Sequence, residues 1–194
     1  MLDPVERGTA SDAATTALFE AICDGRIAAG SPLRLQELAD QLGLSMMPIR
    51  EAVRRLAAMD LVELRPHRGA WVRSMSLQDL RDTYATRFVL EGAAAREAAA
   101  RFTEQDAKRA RGALDERARS LAAGDRRAAR DAHERFHFTI YEAAGNAWLV
   151  RSILPLWRNS ERYRVESLRH PEIAGQRAAE HEEILAAVRR HDGQ

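Results

Sequence analysis

Residues 35–73 read LQELADQLGLSMMPIREAVRRLAAMDLVELRPHRGAWVR. Leu35 to Leu42 has the apolar spacing of a short amphipathic helix, and Gly43 stands where a helix stops in a left-handed cap. Ser45 then takes the N-cap position of a second helix, MMPIREAVRRLAAMD. Pro48 falls in its first turn, where a missing N–H costs nothing. Two short strand-like stretches follow, Leu61–Arg65 and Ala70–Arg73, separated by Pro66-His67-Arg68-Gly69, which reads as a small hairpin. Helix, turn, helix and hairpin in this order is the arrangement that presents one helix to the DNA major groove beside a wing.

DNA needs donors on the exposed face of the second helix and on the wing. Arg50, Arg54 and Arg55 lie on the helix, and Arg65, His67, Arg68 and Arg73 on or beside the wing. Between Ser45 and Arg73 six arginines (50, 54, 55, 65, 68, 73) face three acids (Glu51, Asp60, Glu63), so the stretch is locally positive. The 194-residue chain as a whole carries a formal charge of only +1, so bulk charge does not argue for nucleic acid. A solvated arginine face is the plainer reading of any one of these residues; the ordered combination favours DNA.

Working outward, residues 1–11 read as a flexible arm and residues 12–74 as the winged domain, with a first helix from Asp12 and a stop at Gly25. Gly30-Ser31-Pro32 reads as a turn. After Met75 nothing resembles a strand. Ala-rich helical spacing continues, predicting helices near 77–101, 103–123, 125–144, 147–166 and 172–190. Thr103, Gly124-Asp125, Gly145-Asn146 and His170-Pro171 mark the breaks. The fold class expected is mainly α: a winged helix-turn-helix (12–74) and an all-helical bundle (75–194).

The single Cys23 excludes an internal disulfide and suits a reducing compartment. No signal pattern or membrane-length apolar run appears, so a soluble cytoplasmic protein is expected. Lys108 is the only lysine among 30 basic residues, a bias of composition more than of function.

The quoted stretch resembles the winged helix of the GntR family, whose pattern runs Leu-Ala-x-x-Leu-Gly-Val-Ser-Arg-Thr-Pro-Val-Arg-Glu-Ala-Leu, then Gly-Leu-Val and an Arg-Gly wing. The resemblance covers about residues 12–74. It implies DNA contacts at Ser45, Arg50, His67, Arg68 and Gly69, and Gln36, Met46, Met47 and Arg54 complete the candidate DNA-binding set. Ser45-Met46-Met47 departs from the usual Ser-Arg-Thr and loses a guanidinium that reads guanine. Met46 could instead meet a thymine methyl. Gln36 stands where some members carry arginine. These departures bear on the operator sequence, not on the groove.

LRDTYATRFVLEGAAAREAAARF, FHFTIYEAAGN and EHEEILAAV resemble the FadR-type ligand-binding (FCD) domain over about 76–194. That resemblance implies a homodimer on pseudo-palindromic operator DNA and a small carboxylate effector. It also implies a possible divalent metal (zinc, nickel or manganese) held by an Asp four residues before a His, by that His and by two later ones. Here His133 replaces the Asp, His137 is its partner one turn on, and His181 matches the third ligand. The fourth would come about twenty residues later in a last helix, whereas the sequence ends at Gln194 and His191 has the wrong spacing. A truncated chain lacking that helix is therefore expected. Pocket or surface histidines without metal are the plainer alternative. Arg87 is the candidate carboxylate clamp, with a salt bridge to Glu91 as the competing reading. Tyr84, Phe136, Tyr141, Trp148 and Trp157 are expected to fill the core. Effector binding is expected to shift the 77–101 helix against the winged helix and so respace the recognition helices.

His133-Glu134-Arg135-Phe136-His137 is also the H-E-x-x-H pattern of zinc peptidases. A metzincin would continue with Gly at 140 and His at 143, where Ile140 and Ala143 stand. Glu161 is the one tolerable third ligand for a gluzincin. With no catalytic residues otherwise in evidence, a non-enzymatic regulator is the expectation and a zinc metallopeptidase the rival.

Overall fold

The computed structural model describes residues 9–167 and 171–191, with 171–178 described by their backbone alone. Among these residues the chain forms eight helices and one three-stranded sheet, in two compact units. No described helix is long and apolar enough to cross a membrane.

The first unit comprises residues up to Leu80 together with Arg158–Val165. Helix α1 spans Ala10–Cys23, earlier than expected. Its start is set by a capping box: the Thr9 hydroxyl accepts from the Asp12 amide, and the Asp12 carboxylate accepts from the Thr9 N–H at 2.8 Å. Residues 9–11 therefore belong to a capped helix and not to an arm; the rest of the expected arm, 1–8, lies outside the described residues. Helix α2 (Leu35–Leu42) ends on Gly43 at φ 63°, the left-handed stop that its sequence position predicts. Helix α3 (Met46–Ala58) buries Ile49, Ala52, Val53 and Leu56, the one-face spacing of an amphipathic helix. These side chains join Leu18 and Ile22 of α1 and Leu61, Val62 and Val72 in one core. Burying a side chain of this size contributes roughly 1.5–3 kcal/mol each.

Strands β2 (Val62–Arg65) and β3 (Gly69–Val72) pair antiparallel, with Val62 opposite Val72 and Arg65 opposite Gly69. A two-residue strand β1 (Pro32–Leu33) adds to β3, giving the order β1-β3-β2. The expected turn at 30–32 is thus partly a strand edge. The hairpin tip needs left-handed backbone at His67 (φ 57°) and Gly69 (φ 77°). Trp71 braces it, its indole donating to the Arg68 carbonyl at 2.9 Å beneath the Arg65 guanidinium.

In the same unit, residues near the end of α7 (Ala147–Ser167) hold the segment after β3. Arg162, 4% exposed, donates to the Arg73 carbonyl at 2.9 Å and to the Asp79 carboxylate at 3.1 Å. The Tyr163 hydroxyl donates to the same carboxylate at 2.5 Å and accepts from the Ser76 amide at 3.1 Å.

The Arg55 hydrogen bond, then those to Thr9, hold the Asp12 carboxyl at about 2 against an ordinary 3.8. A depressed carboxylate contributes stability above its unfolded value, lost as pH falls through the folded one, so the window is about pH 4 to 2. Asp12→Asn should lower stability at neutral pH and flatten the acid dependence in that window, followed by far-UV circular dichroism.

The second unit, Arg81–Trp157 and residues from Glu166 onward, is all helical. Most of helix α4 (Leu77–Ala99) belongs to it. Helices α5 (Glu104–Ala122), α6 (Arg126–Ala143), most of α7 and α8 (Pro171–Arg189) complete it. Thr103 and Asp106 form a capping box on α5, and Asp125 caps α6 by accepting from the Ala128 amide at 2.9 Å. The Asn146 side chain accepts from the Trp148 and Leu149 amides at the start of α7. The expected break at His170 lies outside the described residues. Alanines on α4 and α5 (Ala94, Ala98, Ala107, Ala110) share the core with Phe136, Ile140, Ile153, Leu185 and Val188. Two aromatic side chains expected in that core are not there. Trp148 is 74% exposed, its ring facing Arg151, and Tyr84 is 38% exposed beside Arg87. Phe136, Tyr141 and Trp157 are buried as expected.

Candidate nucleic-acid interface and metal centre

Within the first unit, α3 and the hairpin line one groove. Leu35, Arg50, Arg54, Leu64, His67 and Gly69 are among its walls. The core spacing of α3 sends Ile49, Val53 and Leu56 inward, so Met47, Arg50 and Arg54 fall on the outer face. Met47 is 73% exposed, while Met46 is half-buried and packs against the core. A contact between Met46 and a base is accordingly harder to make than one from Met47. Ser45 occupies the N-cap position, but its side chain makes no cap hydrogen bond. Gln36 is exposed and donates to Asp40 at 3.0 Å.

The arginines divide into two groups. Arg34, Arg55, Arg65 and Arg73 are paired with Glu37, with Asp12 and Glu51, with Glu63, and with Asp60. The guanidiniums of Arg50, Arg54 and Arg68 make no ion pair among the described residues, and all three residues are exposed. Unneutralised guanidiniums on a helix face and a hairpin tip are what phosphates and base edges require.

In the second unit, His133 and His137 share one face of α6, one turn apart, and α8 delivers His181 to them. The His181 Nε2 lies 3.1 Å from the Nε2 of both His133 and His137. One potential ligand atom from each of the three lies within 4.8 Å of the others. Imidazoles around a tetrahedral ion at 2.0–2.1 Å would have nitrogens roughly 3.4 Å apart, so small adjustments would admit one. His133 and His181 are buried and His137 half-buried. His191 is elsewhere, its Nδ1 2.6 Å from the Ala99 carbonyl oxygen.

Arg87 sits close by with 11% of its side chain exposed. Its Nε donates to Glu91 at 2.6 Å, and its guanidinium lies over the Trp157 ring (4.5 Å) and the Tyr84 ring (5.0 Å). Burial opposes its charge, but Glu91 outweighs that and holds its pKa above the ordinary value. The Tyr141 hydroxyl donates to the other Glu91 oxygen at 2.8 Å; burial, then Glu91, push this phenol well above its ordinary pKa. The competing expectation, a salt bridge to Glu91, therefore describes Arg87 here. Reading Tyr141 as core filler missed its polar end, for which an i, i+4 spacing from His137 was the available signal.

The peptidase reading gains nothing from this geometry. Glu161 is buried in the first unit and gripped by Arg164 at 2.8 and 2.6 Å. Among the described residues only histidines make up the candidate ligand group.

Comparison with known proteins bears on both sites. Residues 10–72 match the family described as bacterial regulatory proteins, gntR family, and residues 82–194 match the FCD domain. The chain is 40% identical over 131 residues to the probable D-xylose utilization operon transcriptional repressor of Paenarthrobacter nicotinovorans, covering 68% of this chain and 58% of that protein. The chain thus spans little more than half the length of that relative. It is 34% identical over 175 residues to the HTH-type transcriptional regulator BphR of Paraburkholderia xenovorans, covering 85% of this chain and 69% of that one. The solved Escherichia coli McbR/YncC structure shares the fold, with a TM-score of 0.79 and 22% identity over 95% of this chain and 88% of that one.

Proposed function

The chain belongs to the gntR family of bacterial regulatory proteins and carries an FCD domain, and from that premise we propose that it binds operator DNA and regulates transcription in response to a small carboxylate. The observation that carries this reading is the set of exposed guanidiniums of Arg50, Arg54 and Arg68 on α3 and the wing, which make no ion pair among the described residues. Arg50 and Arg54, with Ser45 and Met47, would meet the major groove. His67, Arg68 and Gly69 would lie on the backbone or in the adjoining minor groove. Gln36, exposed on α2, would approach the flanking phosphates.

In the helical unit, His133, His137 and His181 would hold a divalent metal, which when bound supplies a Lewis-acidic cation for an anionic effector. An all-nitrogen donor set favours zinc or nickel over manganese. A carboxylate effector would have to compete with Glu91 for Arg87, whose guanidinium is pre-oriented between Trp157 and Tyr84. Two copies related by a two-fold axis would place two α3 helices about one DNA turn apart. The exposed Phe88 and Val89 of α4, at 82% and 67%, leave apolar surface for a second copy to cover.

Selection of duplexes from a random-sequence library with the purified protein tests the reading. Enriched sequences should be inverted repeats with half-sites about one helical turn apart. Their affinity should fall steeply and linearly on a log–log plot against salt. Failure to enrich any sequence at low salt would reject it.

A further inference from the structure

Metal-binding imidazoles are usually oriented by a hydrogen bond at the ring nitrogen that does not face the ion. For His137 the structure supplies such a partner. The Tyr141 hydroxyl, one turn further along α6, lies 3.4 Å from His137 Nδ1. The same hydroxyl is 2.8 Å from a Glu91 oxygen, and the other Glu91 oxygen accepts from Arg87 Nε at 2.6 Å. The path closes on itself: Arg87 lies 4.5 Å over the Trp157 ring, whose centroid is 4.8 Å from that of His137.

The directions of these hydrogen bonds follow from what each group can offer. Glu91, paired with a guanidinium, is a carboxylate with no proton to give, so Tyr141 must donate its only proton to it. The phenol oxygen is then left as an acceptor toward His137. Nδ1 can satisfy it only as N–H, and a neutral ring with Nδ1–H has its lone pair on Nε2. Nε2 is the atom that meets His181 in the cluster.

We propose that Glu91 and Tyr141 are positioning residues that fix His137 as the Nδ1–H tautomer and so present its Nε2 lone pair to the three-histidine centre. The proposal rests on the metal-centre reading above, yet concerns residues outside the ligand set. Arg87 belongs to the chain because its hydrogen bond holds Glu91 in place. The arrangement is a series, in which breaking either link has the same consequence at His137.

Measurements on the 194-residue chain test it. In metal-free protein, long-range proton–nitrogen correlation spectra should show His137 as the Nδ1–H tautomer, and Tyr141→Phe should turn it into a mixture. With zinc as the probe, in competition with a chromophoric chelator, Tyr141→Phe and Glu91→Gln should each weaken binding about 10- to 100-fold. The double variant should be no weaker than the worse single one. Cobalt substituted for zinc should show a shifted visible band in Tyr141→Phe. Tyr141→Phe changes little volume, and unaltered circular dichroism would separate positioning from misfolding. An Nδ1–H tautomer that survives Tyr141→Phe overturns the proposal, as does unchanged zinc affinity in both variants or additive losses in the double. A wild type that binds no zinc or nickel overturns the metal centre and this inference with it. A wild type that binds while the variants match it overturns only the inference.

Discussion

Arg50→Ala is expected to weaken binding to a selected duplex by roughly 10- to 100-fold, the usual loss of 1–3 kcal/mol for a base-contacting arginine. Arg50 is exposed on the flank of α3 beside the buried Ile49, Val53 and Leu56, and no ion pair among the described residues holds its guanidinium. Removing it breaks no bond on which the fold depends, so the melting temperature should hardly move. Arg55→Ala is the informative contrast. Its guanidinium is already engaged by Asp12 and Glu51, so its loss should cost more in stability than in DNA affinity. Fluorescence anisotropy with the selected duplex and a thermal melt separate the two. Unchanged affinity in Arg50→Ala would show that α3 does not read the groove as proposed.

His137→Ala is expected to abolish tight metal binding and, with it, the metal-dependent rise in melting temperature. His137 is one of only three candidate ligands among the described residues, and a two-imidazole remnant holds an ion poorly. At zinc a hundredfold above its dissociation constant, binding would stabilise the wild type by about 2.7 kcal/mol. For a chain of this size that is roughly 5–10 °C. In the variant the shift should vanish, while the metal-free melting temperature changes little because the ring is only half-buried. Metal content by mass spectrometry and scanning calorimetry, with and without chelator, give the result. An equal zinc-dependent shift in wild type and variant would place the metal elsewhere.

How far the residues announced this architecture differs between the two units. The winged unit was legible because its punctuation is chemical: Gly43 must take positive φ, Pro48 sits where no N–H is needed, and Gly69 closes a hairpin tip. What escaped was short or local. The two-residue β1 is too brief for alternation to register. The start of α1 was placed at Asp12, although Thr9-x-x-Asp12 is a capping signal that puts the first turn earlier.

In the helical unit, the spacing of apolar residues and the caps at Thr103 and Asp125 located the helices. They did not locate every aromatic. Trp148, at the second position of α7, was expected inside and is exposed, because an apolar residue in a first turn has no periodic neighbours to fix its face. The histidine pair was visible from its i, i+4 spacing, but only the resemblance joined it to His181, 44 residues on. Arg87 offered two readings, and a carboxylate one turn away was the nearer partner. The chain from Glu91 through Tyr141 to His137 was beyond reach, since it depends on α4 and α6 meeting across 50 residues.

The most direct measurement is a structure of the chain bound to its selected duplex. Helix α3 should lie in the major groove with Arg50 and Arg54 within hydrogen-bond distance of bases or phosphates. The tip at His67–Gly69 should rest against the neighbouring backbone. DNA lying on another surface, with those guanidiniums turned to solvent, would contradict the account.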